Sequence, residues 1–392
     1  MAGMISFVFS NPRHHAEILL PVVRHLQGSG VACRVVSIAE LRGLATPKWE
    51  LGGAAVKKAL PVPRPGRIPP PAASELSGRR TLGWRALAHQ SVWKLALGPR
   101  LRWLLRGSRC VVVPNDAAFP YLQLVRELGD RRVPVVLVQE GIRFPFPADT
   151  GSEYGKTGAT RVCVWGQGSA EHFASIGVPP SHLCVTGNPR FDTFDVAGFR
   201  ARREATLAEL GLAQPPLVFL SNPVETQGFC SADDKLALFA KFLREAATVT
   251  NDVPIAVKLH SYEEPAAFAR AAERAGVPVT MVPASLPLFA LLAVARAAVV
   301  LASTVGLEAL VFGVPLGVLQ IPGHDFAFEY VQRGAAIGIA ANAIPDGVAA
   351  LLGSAAGHGR GSTDTSRFVE RHLAHRGHAA EHVGDAILEA MR

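Results

Sequence analysis

Two carboxylate residues follow neighbouring apolar runs in the first half of the chain. Asp116 comes soon after the run Cys110 to Val113, and Glu140 comes soon after the run Val133 to Val138. Short, uncharged runs of this kind are typical of buried strands, and the carboxyl ends of parallel strands meet at one edge of a sheet. Both carboxylates are therefore candidates for a general base or for binding sugar hydroxyls. A helix cap is the alternative role for Asp116, whereas no helical pattern directly follows Glu140.

Histidines stand at an earlier strand exit. The apolar run Met4 to Phe9 is followed by a polar loop that contains Arg13, His14 and His15. Imidazole can act as a base or bind phosphate near neutral pH, so we predict a catalytic role for His14. An ordinary histidine at the start of a helix is the alternative.

The second half of the chain contains a strand exit that suits an anion. Ala297 to Leu301 predicts a buried strand, and small and hydroxylated residues follow it before a short helix. Backbone amides at a helix start can bind phosphate, and glycine allows another group to approach the backbone closely. An ordinary capped helix in an α/β core is the alternative. We predict that an anionic ligand contacts this turn through Ser303, Thr304, Val305, Gly306 and Glu308.

Two more strand exits in this half carry polar residues. Ser221 and Asn222 follow one apolar run, and Lys258 and His260 stand at the end of the next. A lysine and a histidine at the edge of a central strand are costly to bury unless an anion meets them. We therefore predict that these four residues also contact the ligand.

Strand and helix patterns alternate along the whole chain, which predicts an α/β protein with parallel sheets. A length of 392 residues exceeds one typical core, so two domains are expected. The composition changes after Gly187, Asn188 and Pro189, which are predicted to form a hinge beside a cleft. The predicted organisation is an N-terminal domain over residues 1–192, a linker over 193–215, a C-terminal domain over 216–370 and a final helix over 371–392.

The composition is that of a globular protein with an anionic partner. Apolar residues make up 49% of the chain and charged residues only 18%, which excludes a disordered chain. The net charge of +8 matches nucleic acid, a phospholipid surface or a nucleotide. Five scattered cysteines give neither a disulfide framework nor a zinc spacing. The histidines between residues 372 and 382 favour a solvated helix face over a metal site, and we expect no metal.

The sequence shows no targeting pattern. The N-terminus lacks a basic leader with a long apolar core, and the longest uncharged run, Ala275 to Ala295, contains three prolines. Neither pattern predicts a secretion signal or a membrane span. We therefore expect a cytoplasmic protein.

A basic segment, residues 79–106, follows the proline-rich stretch Pro47 to Pro71, which is predicted to be irregular. Arginines and tryptophans alternate with leucines in it, and no acidic residue occurs from Leu76 to Asn115. Such a segment could lie on the anionic face of a membrane or bind an acidic acceptor. A solvated basic helix whose tryptophans pack on the core is the alternative.

Most of the chain resembles the GT-B superfamily, through four motifs that occur in the same order along the sequence. The resemblance rests on VPVVLVQEGI, VWGQGSAEHFASIGVPPSHLCVTGNPRFD, VKLH and ASTVGLEALVFGVP. It is closest to the branch of the UDP-GlcNAc 2-epimerases, the CDP-glycerol glycerophosphotransferases and the transferases of surface polysaccharides. It implies two Rossmann-like domains with parallel sheets that face each other across a cleft.

The resemblance also implies roles for individual residues. Bacterial sialyltransferases of this fold use an acidic pair before glycine, a histidine-proline pair and a serine pair, and this chain is similar at Gln139-Glu140-Gly141, His260-Ser261 and Ser303-Thr304. By that resemblance Glu140 is the general base, His260 stabilises the leaving phosphate, and the Ser303-Thr304 pair binds it.

Epimerases of the superfamily carry a histidine-arginine motif after the first strand of the second domain. This chain has Ser221-Asn222-Pro223 there, which argues against epimerisation. We therefore predict a metal-independent glycosyltransferase of polysaccharide biosynthesis, without a cofactor, that moves a sugar from a nucleotide-activated donor to an acceptor hydroxyl. The acceptor could be lipid-linked or anionic, nucleic acid is not expected as a partner, and residues 79–106 could hold the protein on the inner membrane face. A nucleotide-sugar 2-epimerase, a glycerophosphotransferase and a non-catalytic nucleotide-binding protein are the alternatives.

Overall fold

The chain forms two compact units. The computed structural model describes residues 3–12, 14–46, 49, 56–59, 89–141, 153–356 and 363–392. Unit 1 comprises Met1–Phe194 together with Arg371–Arg392, and unit 2 comprises Asp195–Glu370.

Strands and helices alternate in both units. In chain order the strands of the described residues are β1 (Met4–Phe9), β2 (Cys33–Ser37), β3 (Val56–Lys58), β4 (Ser108–Val113), β5 (Val135–Val138), β6 (Arg161–Val164), β7 (Leu183–Val185), β8 (Leu217–Leu220), β9 (Ile255–Lys258), β10 (Val279–Met281), β11 (Ala297–Val300), β12 (Leu316–Leu319) and β13 (Ile337–Ile339). The α-helices of the same residues are α1 (His14–Gly28), α2 (Gly98–Leu104), α3 (Tyr121–Asp130), α4 (Gln167–Ser175), α5 (Val196–Ala201), α6 (Arg203–Glu209), α7 (Ala232–Thr250), α8 (Pro265–Ala275), α9 (Leu288–Val294), α10 (Val305–Val311), α11 (Ile344–Ala356), α12 (Thr363–His372) and α13 (Ala379–Ala390).

Unit 1 is built on a seven-stranded parallel sheet with the strand order β3-β2-β1-β4-β5-β6-β7. The chain reverses its progress across the sheet between β1 and β4. In open α/β sheets, ligands bind outside the carboxyl ends of the strands beside such a switch point. The ends of β1, β4 and β5 therefore define the edge at which a site is expected.

Helices cover both faces of this sheet. Side chains of β4 alternate between two cores, with Val111 and Val113 in one and Cys110 and Val112 in the other. Helices α2, α3 and α4 contribute to the first core, and α1 and α13 contribute to the second. Because both faces are covered, the strands read as continuous apolar runs, which is why the sequence identifies them.

Unit 2 repeats this plan with a six-stranded parallel sheet in the order β10-β9-β8-β11-β12-β13. Its switch point lies between β8 and β11. Ser221 and Asn222 follow the end of β8, and Ala302 and Ser303 follow the end of β11. The prediction of two Rossmann-like α/β domains is confirmed.

Local sequence signals set the helix ends of unit 2. At the start of α7, Ser231 Oγ accepts a hydrogen bond from the amide of Asp234 at 3.1 Å, and the Asp234 carboxylate accepts one from the amide of Ser231 at 3.3 Å. Helix α8 begins with Pro265 and ends at Gly276, whose φ of 69° is left-handed.

The predicted linker, residues 193–215, is folded. It contains α5 and α6, and Phe199 of α5 lies 5.9 Å from Phe289 and 6.3 Å from Phe312, measured between ring centroids. This segment packs within unit 2 because its apolar residues have aromatic partners there.

The final segment of the chain packs on unit 1. Asp192 caps α13, since its two carboxylate oxygens accept the amides of Ala379 at 2.9 Å and Ala380 at 2.6 Å. A Cβ added to Gly187, which has a φ of 82°, would lie 2.3 Å from the carbonyl oxygen of Ala374. The predicted helix over residues 371–392 is thus interrupted, since it contains the end of α12 and then α13 from Ala379. The predicted hinge function of Gly187, Asn188 and Pro189 stays a prediction.

Some sequence predictions lie outside the described residues. They concern Arg13, nearly all of the proline-rich stretch, the first part of the basic segment with Trp84 and Arg85, and most of the loop after Glu140. Within the described residues, no helix has both the length and the apolar character needed to cross a membrane.

Candidate functional site

Three strand exits of unit 1 converge on Glu140. One carboxylate oxygen of Glu140 lies 2.8 Å from Nε2 of His15, and the other accepts a hydrogen bond from Nδ2 of Asn115 at 2.7 Å. His15 follows β1, Asn115 follows β4 and Glu140 follows β5. The Glu140 side chain is 27% exposed, so this carboxylate is held firmly and remains open to a ligand.

Backbone contacts fix the protonation of His15. Its Nδ1 accepts the amides of Ser10 at 3.3 Å and Asn11 at 3.2 Å, so Nδ1 carries no hydrogen. The ring is therefore neutral, and its Nε2–H donates to Glu140. His15 is buried at the start of α1, which holds the ring in this orientation.

His14 is also a neutral donor. Its Nε2 lies 2.6 Å from the backbone carbonyl oxygen of Glu140, and a carbonyl only accepts hydrogen bonds. Burial, followed by the neighbouring His15, lowers the pKa of His14 to about 4. The predicted catalytic residues His14 and Glu140 are thus adjacent, with His14 bonded to the backbone of Glu140.

The hydrogen bonds around Glu140 decide its ionisation. Burial alone would raise the pKa of this carboxyl, but its contacts with His15, followed by those with His14 and Asn115, outweigh burial and lower the pKa to about 2. Glu140 is therefore ionised at neutral pH. It can accept a hydroxyl hydrogen or stabilise a developing positive charge, but it is a weak base while both donors are in place.

Asp116 lies inside the protein. It is fully buried, and its oxygens accept the amides of Gly155 at 2.8 Å and Thr157 at 3.2 Å. The segment that it holds carries Tyr154, whose hydroxyl accepts the amide of Glu140 at 3.1 Å. These contacts give Asp116 a structural role, and its predicted catalytic role stays a prediction. The sequence analysis did not single out Asn115, although it is one residue closer to the end of β4.

In unit 2, the side chain of Asn222 ties the two strand exits at the switch point together. Its Nδ2 donates to the carbonyl oxygen of Ala302 at 2.7 Å. Asn222 is buried, and its Oδ1 has no hydrogen-bond partner among the described residues. A buried amide oxygen without a donor is unfavourable, so this edge has an acceptor to offer to a bound molecule.

A buried ionic network holds the ends of β8 and β9. Glu263 accepts hydrogen bonds from Ser221 Oγ at 2.7 Å and from the amide of His260 at 2.8 Å. Lys235 donates to Glu263 at 2.9 Å and to Glu225 at 2.6 Å. The side chains of Lys235 and Glu263 are only 5% and 1% exposed. The sequence analysis missed this network because Lys235 and Glu263 lie on a helix and a loop, away from any strand exit.

The His260 ring is exposed beside Tyr262, with 5.0 Å between the ring centroids. Its Nδ1 accepts the amide of Tyr262 at 3.3 Å. In the neutral ring, the hydrogen is therefore on Nε2, which makes no hydrogen bond within the described part of the chain. His260 can thus donate to an anion.

Lys258 is satisfied by backbone oxygens. Its ammonium donates to the carbonyls of Pro283 and Leu286, each at 2.8 Å. Burial of this lysine therefore does not require an anionic ligand, contrary to the argument from sequence. Contact between Lys258 and the donor stays a prediction.

A short helix, α10, follows the turn after β11, as the sequence predicts. The Ser303 hydroxyl accepts the amide of Val305 at 3.3 Å, and Glu308 is buried in the first turn of α10. Thr304 has a helical backbone and makes no side-chain cap. Another group does approach Gly306 closely, and that group is Tyr330, while the predicted contact of Gly306 with the donor stays a prediction. A Cβ at Gly306 would lie 2.8 Å from the Tyr330 ring.

Metal ligands do not cluster in the described residues, where no group of three or more His, Cys, Asp or Glu side chains could hold an ion.

Solved structures share this fold across the whole chain. No protein-family model matches the sequence, and no curated protein does. The Staphylococcus aureus MnaA–UDP structure has a TM-score of 0.62 and 14% identity, covering 97% of this chain and 94% of that one. The UDP-GlcNAc 2-epimerase of Neisseria meningitidis bound to UDP-GlcNAc has a TM-score of 0.61 and 12% identity, covering 98% and 100%.

A glycosyltransferase structure is similar to the same degree. The glycotransferase of kitacinnamycin has a TM-score of 0.60 and 17% identity, and each chain is covered completely. Identities this low show the fold alone. The chain has the GT-B fold, as predicted, and its structural neighbours include both epimerases and glycosyltransferases.

Proposed function

We propose that the protein is a GT-B glycosyltransferase that moves a sugar from a nucleotide-activated donor to an acceptor hydroxyl. The observation that carries the proposal is the switch-point edge of unit 2. There a neutral His260 with an available Nε2–H stands among strand exits that also carry Ser221, the buried Oδ1 of Asn222, and Ser303. Neutral hydrogen-bond donors and an amide group suit a nucleoside diphosphate at such an edge. Structures of the same fold are described as complexes with UDP or UDP-GlcNAc, which supports a uridine nucleotide.

The residues predicted to bind the nucleotide donor differ in charge and in hydrogen-bonding capacity. His260, Ser303 and Thr304 can donate to the leaving phosphate. The amides of Val305 and Gly306, which donate to Ser303, and the ammonium of Lys258, which donates to backbone carbonyls, would join them if they left these partners. Glu308 would repel a phosphate, so its predicted contact is with donor hydroxyls. Hydrogen-bond donors alone can stabilise the charge that develops on the leaving group in this proposal, and no metal is invoked.

In unit 1, Glu140 is the proposed acceptor carboxylate. Held by two neutral donors, it can accept the hydrogen of an acceptor hydroxyl and orient its oxygen. Its pKa of about 2 makes Glu140 a weak base. Proton removal therefore requires that the bound acceptor displaces the hydrogen bond from His15 or from Asn115.

Nucleotide-sugar 2-epimerisation is the second candidate, since several of the structurally similar proteins are described as UDP-GlcNAc 2-epimerases. At the exit of β8, however, Ser221-Asn222-Pro223 supplies no imidazole or guanidinium group. This difference favours transfer over epimerisation. A glycerophosphotransferase or a non-catalytic nucleotide-binding protein would use the same edge of unit 2.

The experiment begins with a thermal-shift panel of CMP, CDP, UDP, GDP and their sugars, in which the correct nucleotide raises Tm. The stabilising nucleotide sugar is then incubated without acceptor and followed by NMR. We expect no epimer, and transfer only when hydroxyl acceptors are added. A new epimer would establish the second candidate, and binding without any turnover across an acceptor library would favour a binding protein.

Variants locate the site. His260→Ala and Ser303→Ala should each weaken nucleotide binding by about tenfold, the effect of losing roughly one charge-assisted hydrogen bond. Glu264→Ala is the matched control, because Glu264 is exposed on the loop that carries His260 and makes no side-chain cap. Unchanged affinity in both His260→Ala and Ser303→Ala would show that the phosphate site is elsewhere.

A further inference from the structure

The helical segment of residues 89–104, in which a π-helical turn (Trp93–Leu97) leads into α2, exposes apolar side chains on its outer side. Val92, Leu95 and Trp103 are 42%, 83% and 61% exposed, and we call these three residues the outer stripe. They are three of the five most exposed large apolar residues in the described part of the chain. Single exposed apolar residues are common on protein surfaces and need no explanation. Three on one helical segment indicate an interaction surface.

The same segment is anchored on its inner side. Leu97, Leu101 and Leu104 are buried in the core beneath the sheet. Arg34 of β2 donates to the backbone carbonyls of Leu104 and Arg106, which closes the end of the helix. The outer stripe therefore stands on a fixed element, because the opposite side of the helix is part of the core.

Positive charge surrounds the outer stripe. Lys94, Arg100, Arg102 and Arg106 are all exposed, and the Arg100 guanidinium lies 4.7 Å from the centre of the Trp103 ring. Arg102 is paired with Glu127 at 3.1 Å. The segment itself carries no acidic residue, so its field is positive. An apolar stripe flanked by cations matches a surface with an anionic outer layer and an apolar interior.

We propose that the outer stripe docks on an anionic phospholipid surface, with Leu95 and Trp103 entering the interface and the flanking cations contacting headgroup phosphates. Tryptophan prefers the boundary between headgroups and acyl chains, and each nearby lysine or arginine strengthens attraction to an anionic leaflet. Nucleic acid would meet the cations but leave Val92 and Leu95 exposed. The charge pattern and the apolar stripe together therefore favour a lipid surface. This inference is independent of the proposed nucleotide site.

The test uses the full-length protein in sedimentation with vesicles of phosphatidylcholine alone and of phosphatidylcholine mixed with phosphatidylglycerol. We expect binding only to the anionic vesicles, weakened by salt. Lys94→Glu/Arg100→Glu should lower the partition coefficient by at least about tenfold, since each cation contributes on the order of a fewfold in affinity. Leu95→Ser should lower it without any change in net charge, and because Leu95 is so exposed this variant should keep its fold.

Arg24→Glu/Arg376→Glu is the matched control. It makes the same change in net charge, and Arg24 is exposed on α1, which covers the opposite face of the sheet. The control should bind anionic vesicles nearly as well as the parent protein. Absence of binding to anionic vesicles, or equal losses in the control and in Lys94→Glu/Arg100→Glu, would overturn the proposal. So would a concentration-dependent dimer that Leu95→Ser abolishes while vesicle binding persists, because a second copy would then cover the stripe.

Discussion

The chemistry of the unit 1 edge depends on which nitrogen of His15 carries a proton. Two backbone amides donate to Nδ1, so a protonated ring would place three hydrogens at one nitrogen. Nε2 therefore carries the hydrogen of the ring and makes a fixed hydrogen bond to Glu140. A carboxylate held in this way keeps its charge and its orientation over a wide pH range, which suits the binding of an acceptor hydroxyl better than strong general-base catalysis.

His15→Phe should raise the pKa of Glu140. The pKa of this carboxyl is lowered from 4.5 to about 2 chiefly because the His15 contacts outweigh burial, and the variant removes those contacts while burial remains. The measurement is a ¹³C NMR titration of glutamate carboxyl groups, with Glu140→Gln to assign the signal. In the parent protein, the Glu140 signal should be constant between pH 7 and pH 4, well above its pKa of about 2. In His15→Phe it should titrate within or above that range.

The sign of the stability effect follows from the same shift. A lowered pKa stabilises the fold above the unfolded value near 4.5, and this contribution is lost as pH falls toward about 2. Glu140→Gln should therefore flatten the loss of stability in this acid range. His182→Phe is the control for His15→Phe, because His182 lies before β7 at the amino edge of the sheet. A Glu140 signal that titrates near pH 4.5 in the parent protein would contradict the interpretation.

At the scale of elements, a buried lysine organises the unit 2 edge. Lys235 neutralises Glu263 and Glu225, and Glu263 in turn holds Ser221 and the backbone of His260. Helix α7, the loop before α8 and the exit of β8 are thereby joined through one carboxylate. Such a network is strongly favourable only when complete, because a buried charge without its partner is costly.

Lys235→Met should destabilise the protein by about 3–5 kcal/mol, since it leaves Glu263 buried without a counter-ion. Lys235→Met/Glu263→Gln should recover much of this loss because both charges are then absent. The measurement is urea unfolding monitored by circular dichroism. The exposed residue Arg244 on the same helix supplies the control Arg244→Met, which should change stability by less than about 0.5 kcal/mol. An equal effect of Lys235→Met and Arg244→Met would show that the network is not important for stability.

Sequence reasoning finds strand exits well and cross-element contacts poorly. Glu140, Ser221 and Ser303 were recognisable because a polar residue ends an apolar run, and a parallel sheet then places such residues at one edge. Glu263 and Tyr330 have no such local pattern, since their partners are 42 and 27 residues distant along the chain. The sequence predicts a close approach to Gly306 but not which group makes it, because nothing in the local sequence shows that Tyr330 packs there.

At the scale of the whole molecule, the two α/β units follow from the repeated alternation of apolar runs and helical patterns, which predicts the fold class. The return of the last segment to unit 1 does not follow from that pattern. It depends on Asp192 capping α13 and on apolar residues of α13 that complete a core formed by strands far earlier in the chain. The C-terminal residues are therefore an integral part of the first unit.

Ile387→Ala tests this dependence. Ile387 is fully buried in the core that β1, β4 and α1 share with α13, so the substitution should destabilise unit 1 by about 2–5 kcal/mol through lost burial and a cavity. Hydrogen exchange is the suitable measurement because it reports each unit separately. Amides of β1, β4 and β5 should exchange faster, while those of β8 and β11 stay protected. Glu389→Ala, an exposed position of the same helix, should change neither set. Unchanged protection of β1 and β4 in Ile387→Ala would mean that unit 1 does not need its C-terminal helix, because a core that loses a buried side chain must lose stability in the strands that contact it.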